Sequence, residues 1–308
     1  MMKIIRGLSD IAKFTLKDPV VTLGNFDGVH VGHQAIFKQV VAHALSKGGT
    51  SVAFTFEPHP LKVLSPLRSP RLLATFREKM EQIEASGMDA VICARFTPEF
   101  ASQNPDDFVK NILVDTLHVV DLFVGHDYAF GKDRRGDIPF LRDAGQRHGF
   151  GVHVIGPVKV EGIVVSSTKI RQLVMDGEVC LASKLLGRPY SIEGTVIRGK
   201  SRGRDLGFPT ANITTPNELP PKEGVYAVSV LVEGHEYKAA ANIGSNPTFD
   251  EAETSFEAHI LDFDGDLYGK FLKIKFIKRV RDEVRFKSVE ELTEQIAKDV
   301  ERVRSVLY

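Results

Sequence analysis

An apolar run that ends in a glycine-containing loop and continues as a helix constrains the fold of this chain more than any other segment. Residues 20–23 are predicted to form a short buried strand. The apolar spacing of Ile36, Val40 and Ala44 predicts a helix that begins near Val31. A strand that leads directly into a helix is typical of α/β folds with a mostly parallel sheet.

Two histidines, His30 and His33, lie at the junction between this strand and the helix. Unpaired backbone N–H groups and the helix dipole favour anions there, and Gly32 leaves room for a phosphate to approach. The pair is predicted to clamp a polyphosphate, which indicates nucleotide chemistry. A surface coincidence and a zinc site are the alternatives, although no further zinc ligands with suitable spacing are evident nearby in the sequence.

The composition argues against several classes of protein. At 308 residues the chain is predicted to contain two domains. Lys plus Arg and Asp plus Glu number 40 each, so no overall charge attracts the chain to nucleic acid or to an anionic membrane. No segment has the pattern of a secretory signal or a membrane span.

Cys93 and Cys180 both have apolar neighbours and are predicted to be reduced core thiols of a cytoplasmic protein.

The first half alternates predicted strands and helices. Its further strand-like runs are residues 51–56, 90–94, 119–124 and 152–155. Leu72, Phe76, Met80 and Ile83 recur at the spacing of one face of a helix. Asn104, followed by proline, is a predicted helix cap. This order predicts an α/β domain with a parallel, Rossmann-like sheet, whose sites lie at the carboxyl ends of the strands.

The second half consists of short strands with alternating apolar residues. The predicted strands are residues 194–197, 225–232, 237–243, 254–261 and 271–277. Turn signals separate these five runs, which is typical of a compact antiparallel barrel, and we expect six strands in the complete barrel. A capping box that begins at Ser288 predicts a C-terminal helix, which covers a barrel opening or packs on the barrel wall. We therefore predict two domains, residues 1–184 and 185–308.

Hydroxyl groups precede another predicted helix at Ser166, Ser167 and Thr168, and Lys169 and Arg171 follow them. An ordinary helix cap explains such a start by itself. Because the histidine pair already indicates a nucleotide, however, the cluster is predicted to donate hydrogen bonds to a triphosphate.

A loop between Gly125 and Gly131 carries Asp127, Tyr128 and Phe130. This mixture suits a flat aromatic ligand that stacks on rings and is held by one polar contact. A packed loop without a ligand is the alternative for this segment.

The second half has its own candidate site. The basic loop that contains Gly199, Gly203 and Gly207 is predicted to bind phosphate. Thr210 and Asn212 follow it, and alternation points both side chains the same way, so that their oxygens suit Mg²⁺. A mobile solvated loop with affinity for nucleic acid is the alternative.

Glu257 lies in a predicted strand, where alternation places it opposite Phe256 and Ala258. We expect its carboxylate on the interior face of the barrel, where burial is costly without a function. Accepting the proton of a hydroxyl as a general base would be such a function. A salt-bridged surface glutamate is the alternative.

These motifs, in this order, resemble the bifunctional prokaryotic riboflavin kinase/FMN adenylyltransferase (FAD synthetase) family over almost the whole chain. In the first half the resemblance rests on Gly24-Asn25-Phe26-Asp27-Gly28-Val29-His30-Val31-Gly32-His33, Phe56-Glu57-Pro58-His59-Pro60, Val124-Gly125-His126-Asp127-Tyr128-Ala129-Phe130-Gly131 and Ser166-Ser167-Thr168-Lys169-Ile170-Arg171. In the second half it rests on Gly207-Phe208-Pro209-Thr210-Ala211-Asn212, Asn242-Ile243-Gly244, Pro247-Thr248-Phe249 and Glu257-Ala258-His259-Ile260-Leu261-Asp262-Phe263. Tyr128 stands where the family more often has phenylalanine, a change that preserves ring stacking.

The resemblance implies a two-step route. The barrel would transfer the γ-phosphate of ATP to the ribityl 5′-hydroxyl of riboflavin, with Glu257 as proton acceptor and with Thr210 and Asn212 holding Mg²⁺ and phosphate. The α/β domain would then join FMN to ATP and release pyrophosphate, giving FAD. There His30 and His33 would stabilise charge on the triphosphate, and the Ser166–Arg171 cluster would clamp it from the other side.

The resemblance also implies which residues bind each ligand. For nucleotides they are Gly24, Phe26, Asp27, Gly32, Ser166, Ser167, Thr168, Arg171, Gly199, Gly203, Gly207, Thr210 and Asn212. For the flavin they are Asp127, Tyr128, Phe130 and Arg281. The implied partners are the small molecules ATP, riboflavin and FMN, without nucleic acid or membrane. The oligomeric state is left open, and a monomer is compatible with the sequence.

Three other interpretations are compatible with the sequence. One half could be degenerate and act as a regulatory flavin-binding module of a single-activity enzyme. The basic residues 198–204 could be the arm of a nucleic-acid-binding protein. The chain could also be a non-catalytic flavin carrier, which would bind FMN without consuming ATP.

Overall fold

The computed structural model describes residues 1–199, 203, 206–248 and 251–307. Two compact units form: Met1–Arg71 with Phe76–Val165, and Leu72–Thr75 with Ser166–Tyr308. The division of the chain between residues 184 and 185 stays a prediction. Most of the basic loop (residues 200–202, 204 and 205) and Phe249 lie outside the described residues.

A six-stranded parallel sheet forms the centre of the first unit, as predicted. In chain order its strands are β1 (Lys3–Arg6), β2 (Val20–Leu23), β3 (Ser51–Glu57), β4 (Ala90–Arg95), β5 (Asp121–Gly125) and β6 (Gly151–Ile155). Their spatial order is β1-β4-β3-β2-β5-β6, and adjacent strands run parallel. Strand β1 was not predicted, because its alternation of exposed and buried residues is short.

Helices cover both faces of this sheet. They are α1 (Val31–Lys47), α2 (Pro60–Leu64), α3 (Phe76–Ala85), α4 (Pro98–Ala101), α5 (Pro105–Phe108), which continues as a π-helical segment (Val109–Val114), and α6 (Ile138–His148). Short 3₁₀ segments are Leu8–Lys13, Pro66–Arg68 and Lys132–Arg134, and a small hairpin joins β7 (Lys159–Val160) to β8 (Ile163–Val164). Val21 and Phe54 belong to one buried cluster, whereas Val20 and Ala53 pack with Phe37 of α1 in the other. The central strands are apolar on both faces because both faces are covered.

Two predicted elements of this region have different bounds. Leu72 was expected in a helix with Phe76, but α3 begins only at Phe76. Leu72 instead donates its backbone N–H to Glu218 Oε2 at 3.1 Å. The strand expected to begin at Val119 begins at Asp121. The Val119 N–H instead donates a hydrogen bond to the Leu113 carbonyl at 2.9 Å, at the end of the preceding helical segment.

The second unit is built around a closed antiparallel barrel, as predicted. Its elements are α7 (Ser167–Met175), α8 (Val179–Leu186), β9 (Tyr190–Ile197), β10 (Ala211–Thr214), β11 (Gly224–Val232), β12 (His235–Thr248), β13 (Glu251–Ile260), β14 (Phe271–Arg281) and α9 (Val289–Leu307). The barrel closes in the order β10-β13-β12-β11-β14-β9. No helix in the described ranges is long and apolar enough to cross a bilayer.

The two cysteines differ in environment, and the prediction of two core thiols is wrong for one of them. Both are free; Cys93 in β4 is buried, but Cys180 is exposed. The buried face of α8 consists of Val179, Ala182 and the leucines at its end. Cys180 therefore lies off that face, with its thiol 3.1 Å from the Ile277 carbonyl oxygen.

Helix α9 packs on the outer wall of the barrel. Val303 is fully buried against Val225, Ala227 and Val280. At its start Ser288 accepts a hydrogen bond from the Glu291 N–H at 3.2 Å. The Glu291 carboxylate accepts from the N–H of Lys287, at 3.0 Å, rather than from that of Ser288, so half of the predicted capping box forms.

We expect Val303→Ala to lower the free energy of unfolding of the second unit by about 2 kcal/mol, because it leaves a cavity under α9. Denaturant unfolding followed by circular dichroism measures this loss. The matched control is Val289→Ala in the same helix, whose side chain is 58% exposed and whose replacement should change stability by less than about 0.5 kcal/mol. Equal losses in the two variants would contradict the packing of α9 on the barrel.

Candidate active sites

The loop between β2 and α1 has a strained backbone. Phe26, Gly28 and Val29 have positive φ angles of 50°, 77° and 38°. This region is unfavourable for a β-branched residue such as Val29. Hydrogen bonds hold the conformation: the Val29 N–H donates to the Phe26 carbonyl at 3.1 Å, and Gln34 Nε2 donates to the Val29 carbonyl at 2.8 Å. Strain of this kind is often found at ligand-binding sites.

The structure brings His30 and His33 together at the N-terminus of α1. His30 caps the helix, and its Nδ1 accepts a hydrogen bond from the His33 N–H at 3.3 Å. The two rings stack with centroids 3.6 Å apart and planes 15° apart. A Cβ atom at Gly32 would lie 3.1 Å from the His30 ring, so this glycine makes room for the imidazole.

His33 is held as a neutral imidazole. Burial, followed by the charges of His30 and Lys79, lowers the pKa of His33 well below its usual value. Its Nδ1 is buried and accepts no hydrogen bond from the part of the chain that the structure describes. The edge of Phe26 supports the ring, with centroids 5.3 Å apart. The loop therefore holds a ring with a lowered pKa, one of whose nitrogens is buried without a hydrogen bond among the described residues.

The other predicted residues of this loop, Gly24, Phe26 and Asp27, pack within the loop or are buried in the core. A Cβ atom at Gly24 would lie 2.6 Å from the Phe26 ring, so only glycine allows the ring to fold back. Asp27 is buried, with 6% of its surface exposed. Phe26 also contacts Phe37 in the core, with ring centroids 4.8 Å apart. The predicted contacts of this loop with a nucleotide stay predictions.

Lys79 in α3 was missed by the sequence analysis. It is buried, and its Nζ lies 3.4 Å from both Thr55 Oγ1 and the Phe56 carbonyl oxygen, at the carboxyl end of β3. Burial lowers its pKa, partly offset by Cys93, Glu57 and Asp27 in that order. A signal was present, because the helical spacing of Phe76, Met80 and Ile83 places this lysine on the apolar face of the helix.

The aromatic loop after β5 packs mostly on itself and on the core. The Tyr128 and Phe130 rings stack with centroids 5.8 Å apart, and both lie against the larger core cluster of the first unit. Burial raises the pKa of Tyr128. The side chain of Asp127 is 84% exposed. These contacts agree with a packed loop, and flavin binding by the three residues stays a prediction.

Ser166 is the N-cap of α7, where its hydroxyl accepts from the Lys169 N–H at 3.2 Å. Ser167 begins the helix, Thr168 is exposed in its first turn, and Arg171 is half-buried. The cap that the sequence predicted is therefore present, and phosphate binding by this cluster stays a prediction.

Glu257 lies on the outer face of the barrel, and its expected interior position is wrong. In β13 Phe256, Ala258 and Ile260 are buried, so Glu257 between the first two points the other way. Its cross-strand neighbour Asn242 shares a face with Ala240, which packs against α9 on the outer wall. Glu257 does lie on the face opposite Phe256 and Ala258, as predicted. Alternation alone, however, does not determine which face of a strand lines the barrel.

Polar side chains from three adjacent strands meet on that outer face. Glu257 is paired in register with Asn212 of β10 on one side and with Asn242 of β12 on the other. The Thr210 hydroxyl is 3.4 Å from Glu257 Oε2. The structure therefore brings together Thr210, Asn212 and Glu257, which the resemblance to the family assigns to one reaction.

Glycines of the preceding loop approach the same cluster closely. A Cβ at Gly199 would collide with the Asn212 amide, and a Cβ at Gly203 would collide with the Phe208 carbonyl and lie 3.2 Å from Thr210 Oγ1. Gly207 has a positive φ of 83°. These close approaches require residues without side chains at positions 199 and 203, and phosphate binding by the loop stays a prediction.

Arg281 forms an ion pair within the second unit. Its Nε and Nη2 donate to the two carboxylate oxygens of Asp299 in α9, at 2.9 and 2.6 Å. It also borders an open cleft of about 400 Å³ lined by residues 176–180 and 278–282. The bidentate pair occupies most of the guanidinium, and the implied contact with flavin stays a prediction.

Two families match the chain in succession. The FAD synthetase family matches residues 13–169, and the riboflavin kinase family matches residues 186–307. The bifunctional riboflavin kinase/FMN adenylyltransferase of Escherichia coli (strain K12) is 38% identical over 299 residues, covering 97% of this chain and 96% of that protein. The protein of the same description from Pseudomonas fluorescens is 40% identical over 306 residues, covering 99% and 98%.

A solved structure shares the fold along its full length. The crystal structure of a macrolide-efflux protein from Streptococcus pneumoniae is 33% identical and superposes with a TM-score of 0.90, covering 98% of this chain and 99% of that chain. Because both halves match their families and nearly the whole length aligns with curated relatives, the chain belongs to the bifunctional riboflavin kinase/FMN adenylyltransferases and is an enzyme of FMN and FAD synthesis.

Proposed function

We propose that the outer-face cluster of the barrel is the site where riboflavin is phosphorylated. The observation that carries this proposal is the juxtaposition of Glu257 with Thr210 and Asn212 beside a loop of close-packed glycines. A half-exposed carboxylate next to a phosphate-binding loop can accept a proton from a substrate hydroxyl without first leaving a buried environment.

In the proposed reaction, the 5′-hydroxyl oxygen of riboflavin attacks the γ-phosphorus of ATP. Glu257 accepts the hydroxyl proton, the bond to the bridging oxygen breaks, and ADP leaves. In this proposal the basic loop and the Thr210 hydroxyl would bind phosphate oxygens of the nucleotide. Catalysis of this kind depends mainly on positioning and on electrostatic stabilisation of the transferred group.

The donor atoms fit a magnesium ion. Thr210 offers a hydroxyl, Asn212 an amide oxygen and Glu257 a carboxylate, and hard oxygen ligands of this type suit Mg²⁺, which keeps several waters. We propose that Thr210 and Asn212 hold the ion. When bound it would neutralise charge on the nucleotide phosphates.

We propose that the strained loop of the first unit is the site of adenylyl transfer. A phosphate oxygen of FMN attacks the α-phosphorus of ATP, and pyrophosphate leaves, so no covalent enzyme intermediate is needed. His30 and His33, stacked at a helix N-terminus, would bind the triphosphate as its charge develops. The FAD synthetase match extends to residue 169 and includes Ser166, Ser167 and Thr168, which supports assigning these hydroxyls to the same activity by sequence.

The balanced charge of 40 basic and 40 acidic residues supports small-molecule substrates rather than nucleic acid as partners. The two free thiols support a cytoplasmic location.

Chromatography of flavins tests the two activities together. Purified protein is incubated with riboflavin, ATP and Mg²⁺, and the products are separated over time. FMN that appears first, followed by FAD, is the expected result. FMN alone would overturn the assignment of adenylyl transfer to the histidine loop, and no product would favour a flavin carrier.

We expect ATP binding at the histidine loop to take up protons. Free His33 is neutral because burial, then His30 and Lys79, lower its pKa; an adjacent triphosphate favours the charged ring and raises that pKa. The bound form then carries more protons, so ATP affinity should rise as the pH falls through the raised pKa of the bound ring, and should level off below the pKa of the free ring.

Isothermal titration of ATP in buffers with different ionisation enthalpies measures this uptake. The difference in proton uptake between the wild type and His33→Gln gives the contribution of the histidine loop, separate from that of the barrel. Identical uptake in the two proteins would show that His33 does not gain a proton with ATP.

A further inference from the structure

A second cluster of ionisable side chains lies at the opposite edge of the parallel sheet. His43 in α1, Asp121 at the start of β5 and His153 in β6 converge there. The catalytic histidine loop follows the carboxyl end of β2, whereas this cluster lies at the amino end of β5. No step of the two proposed reactions uses it.

The candidate ligand atoms of the three side chains lie close together. His43 Nε2 is 3.0 Å from Asp121 Oδ2, and His153 Nε2 is 2.8 Å from Asp121 Oδ1. One atom from each residue can be chosen so that all lie within 4.8 Å of one another. Two imidazole nitrogens and a carboxylate oxygen at such spacing are the ligand set of many three-residue transition-metal sites.

Neighbouring residues hold this arrangement in place. A Cβ atom at Gly151 would collide with the Asp121 carboxylate and lie 3.2 Å from His153 Nε2, so the glycine leaves the space in which the ligands meet. The Phe123 ring stacks on His153, with centroids 4.4 Å apart, and meets His43 edge to face at 5.4 Å. The ligands are thus preorganised by packing.

Charge and access also suit a cation. Asp121 is buried, and its carboxylate lies within hydrogen-bond distance of Lys47 Nζ, His43 Nε2 and His153 Nε2. The side chains of His43 and His153 are 27% and 39% exposed, so an ion can enter from solvent. The cluster is therefore open to solvent on the side of the two histidines.

Lys47 competes for the same carboxylate. Its Nζ is 2.6 Å from Asp121 Oδ2, and its side chain is 43% exposed. An ammonium group on a flexible stem can move into solvent when another cation takes its place. Removing this charge should therefore favour metal binding.

We propose that His43, Asp121 and His153 form a binding site for a divalent transition-metal ion of the zinc type, with water as a further ligand. Two imidazole ligands select Zn²⁺, Co²⁺ or Ni²⁺ over Mg²⁺ and Ca²⁺, which prefer oxygen. The ion would link α1 to strands β5 and β6 and stabilise the first unit against unfolding.

Cobalt titration of the metal-free full-length protein tests this site. We expect one Co²⁺ per chain, seen as visible ligand-field absorption and as binding heat, and displaced by Zn²⁺ but not by Mg²⁺. His153→Gln should weaken Co²⁺ binding by about 100-fold. Lys47→Gln should strengthen it by about tenfold, because a competing charge is lost.

Two controls separate this site from other histidines. His33→Gln alters the catalytic loop and His235→Gln alters an exposed histidine of the barrel, and both should leave Co²⁺ affinity unchanged. Far-ultraviolet circular dichroism verifies that each variant is folded, and Lys47→Gln removes no ligand, so it tests the proposal even if a histidine variant does not fold. Absence of Co²⁺ binding, binding lost in His33→Gln, or affinity unchanged in Lys47→Gln would overturn the proposal.

Discussion

His33→Ala is expected to abolish FAD formation while FMN formation from riboflavin continues at the wild-type rate. The ring stacks on His30 at 3.6 Å and is the one that carries a buried Nδ1 without a hydrogen bond among the described residues. Loss of a preorganised group that stabilises transition-state charge costs about 100- to 1,000-fold in rate. The barrel residues proposed for kinase activity lie in the other compact unit, so the first step should not change.

The two steps are measured separately, with riboflavin as the substrate for FMN formation and supplied FMN as the substrate for FAD formation. His33→Gln is the companion variant, because it retains a polar side chain and separates loss of the imidazole from loss of volume. Gln39→Ala, an exposed position in the same helix, is the matched control and should retain both activities. FAD yield comparable to wild type in His33→Ala would refute the assignment.

Glu257→Gln should have the opposite pattern. FMN formation should fall by about two to four orders of magnitude, because the isosteric amide cannot accept the hydroxyl proton. FAD formation from supplied FMN should be unchanged. The substitution preserves side-chain volume at a half-exposed position, so the barrel should keep its stability.

Steady-state kinetics distinguishes a proton acceptor from a binding residue. A lost general base lowers kcat and leaves the KM for riboflavin close to wild type, whereas a lost binding contact raises KM. Glu294→Gln, an exposed position of α9, is the control for the removal of one negative charge. A kinase rate within a few-fold of wild type would remove Glu257 from this role.

The elements with long, regular patterns were predicted well. Residues 225–232 and 271–277 were predicted as strands and lie within β11 and β14, because β-branched residues alternate along them. The helix expected near Val31 begins there, because His30 caps it. Leu72 kept helical spacing with Phe76 but lies outside α3, since its N–H is bonded to Glu218 far along the chain. Periodicity does not report such a distant partner.

In the candidate sites too, contacts within a motif were predicted and contacts between distant segments were not. The motifs placed His30 beside His33, because residues three apart at a helix start are neighbours in any helix. The joint role of Thr210, Asn212 and Glu257 in one reaction was implied only by the family resemblance, and the structure brings the three residues together. The buried position of Lys79 and the meeting of His43 with Asp121 were not predicted, because each joins segments that are far apart in the sequence.

The sequence by itself determined the family, the parallel sheet followed by the barrel, and the local motifs, because these depend on short-range periodicity, capping and motif order. Tertiary structure alone decided the outward position of Glu257, the exposure of Cys180 and the convergence of His43, Asp121 and His153. Strand alternation and helix spacing define two faces of an element but not which one packs inward. That choice is made by burial against distant elements, which requires the whole fold.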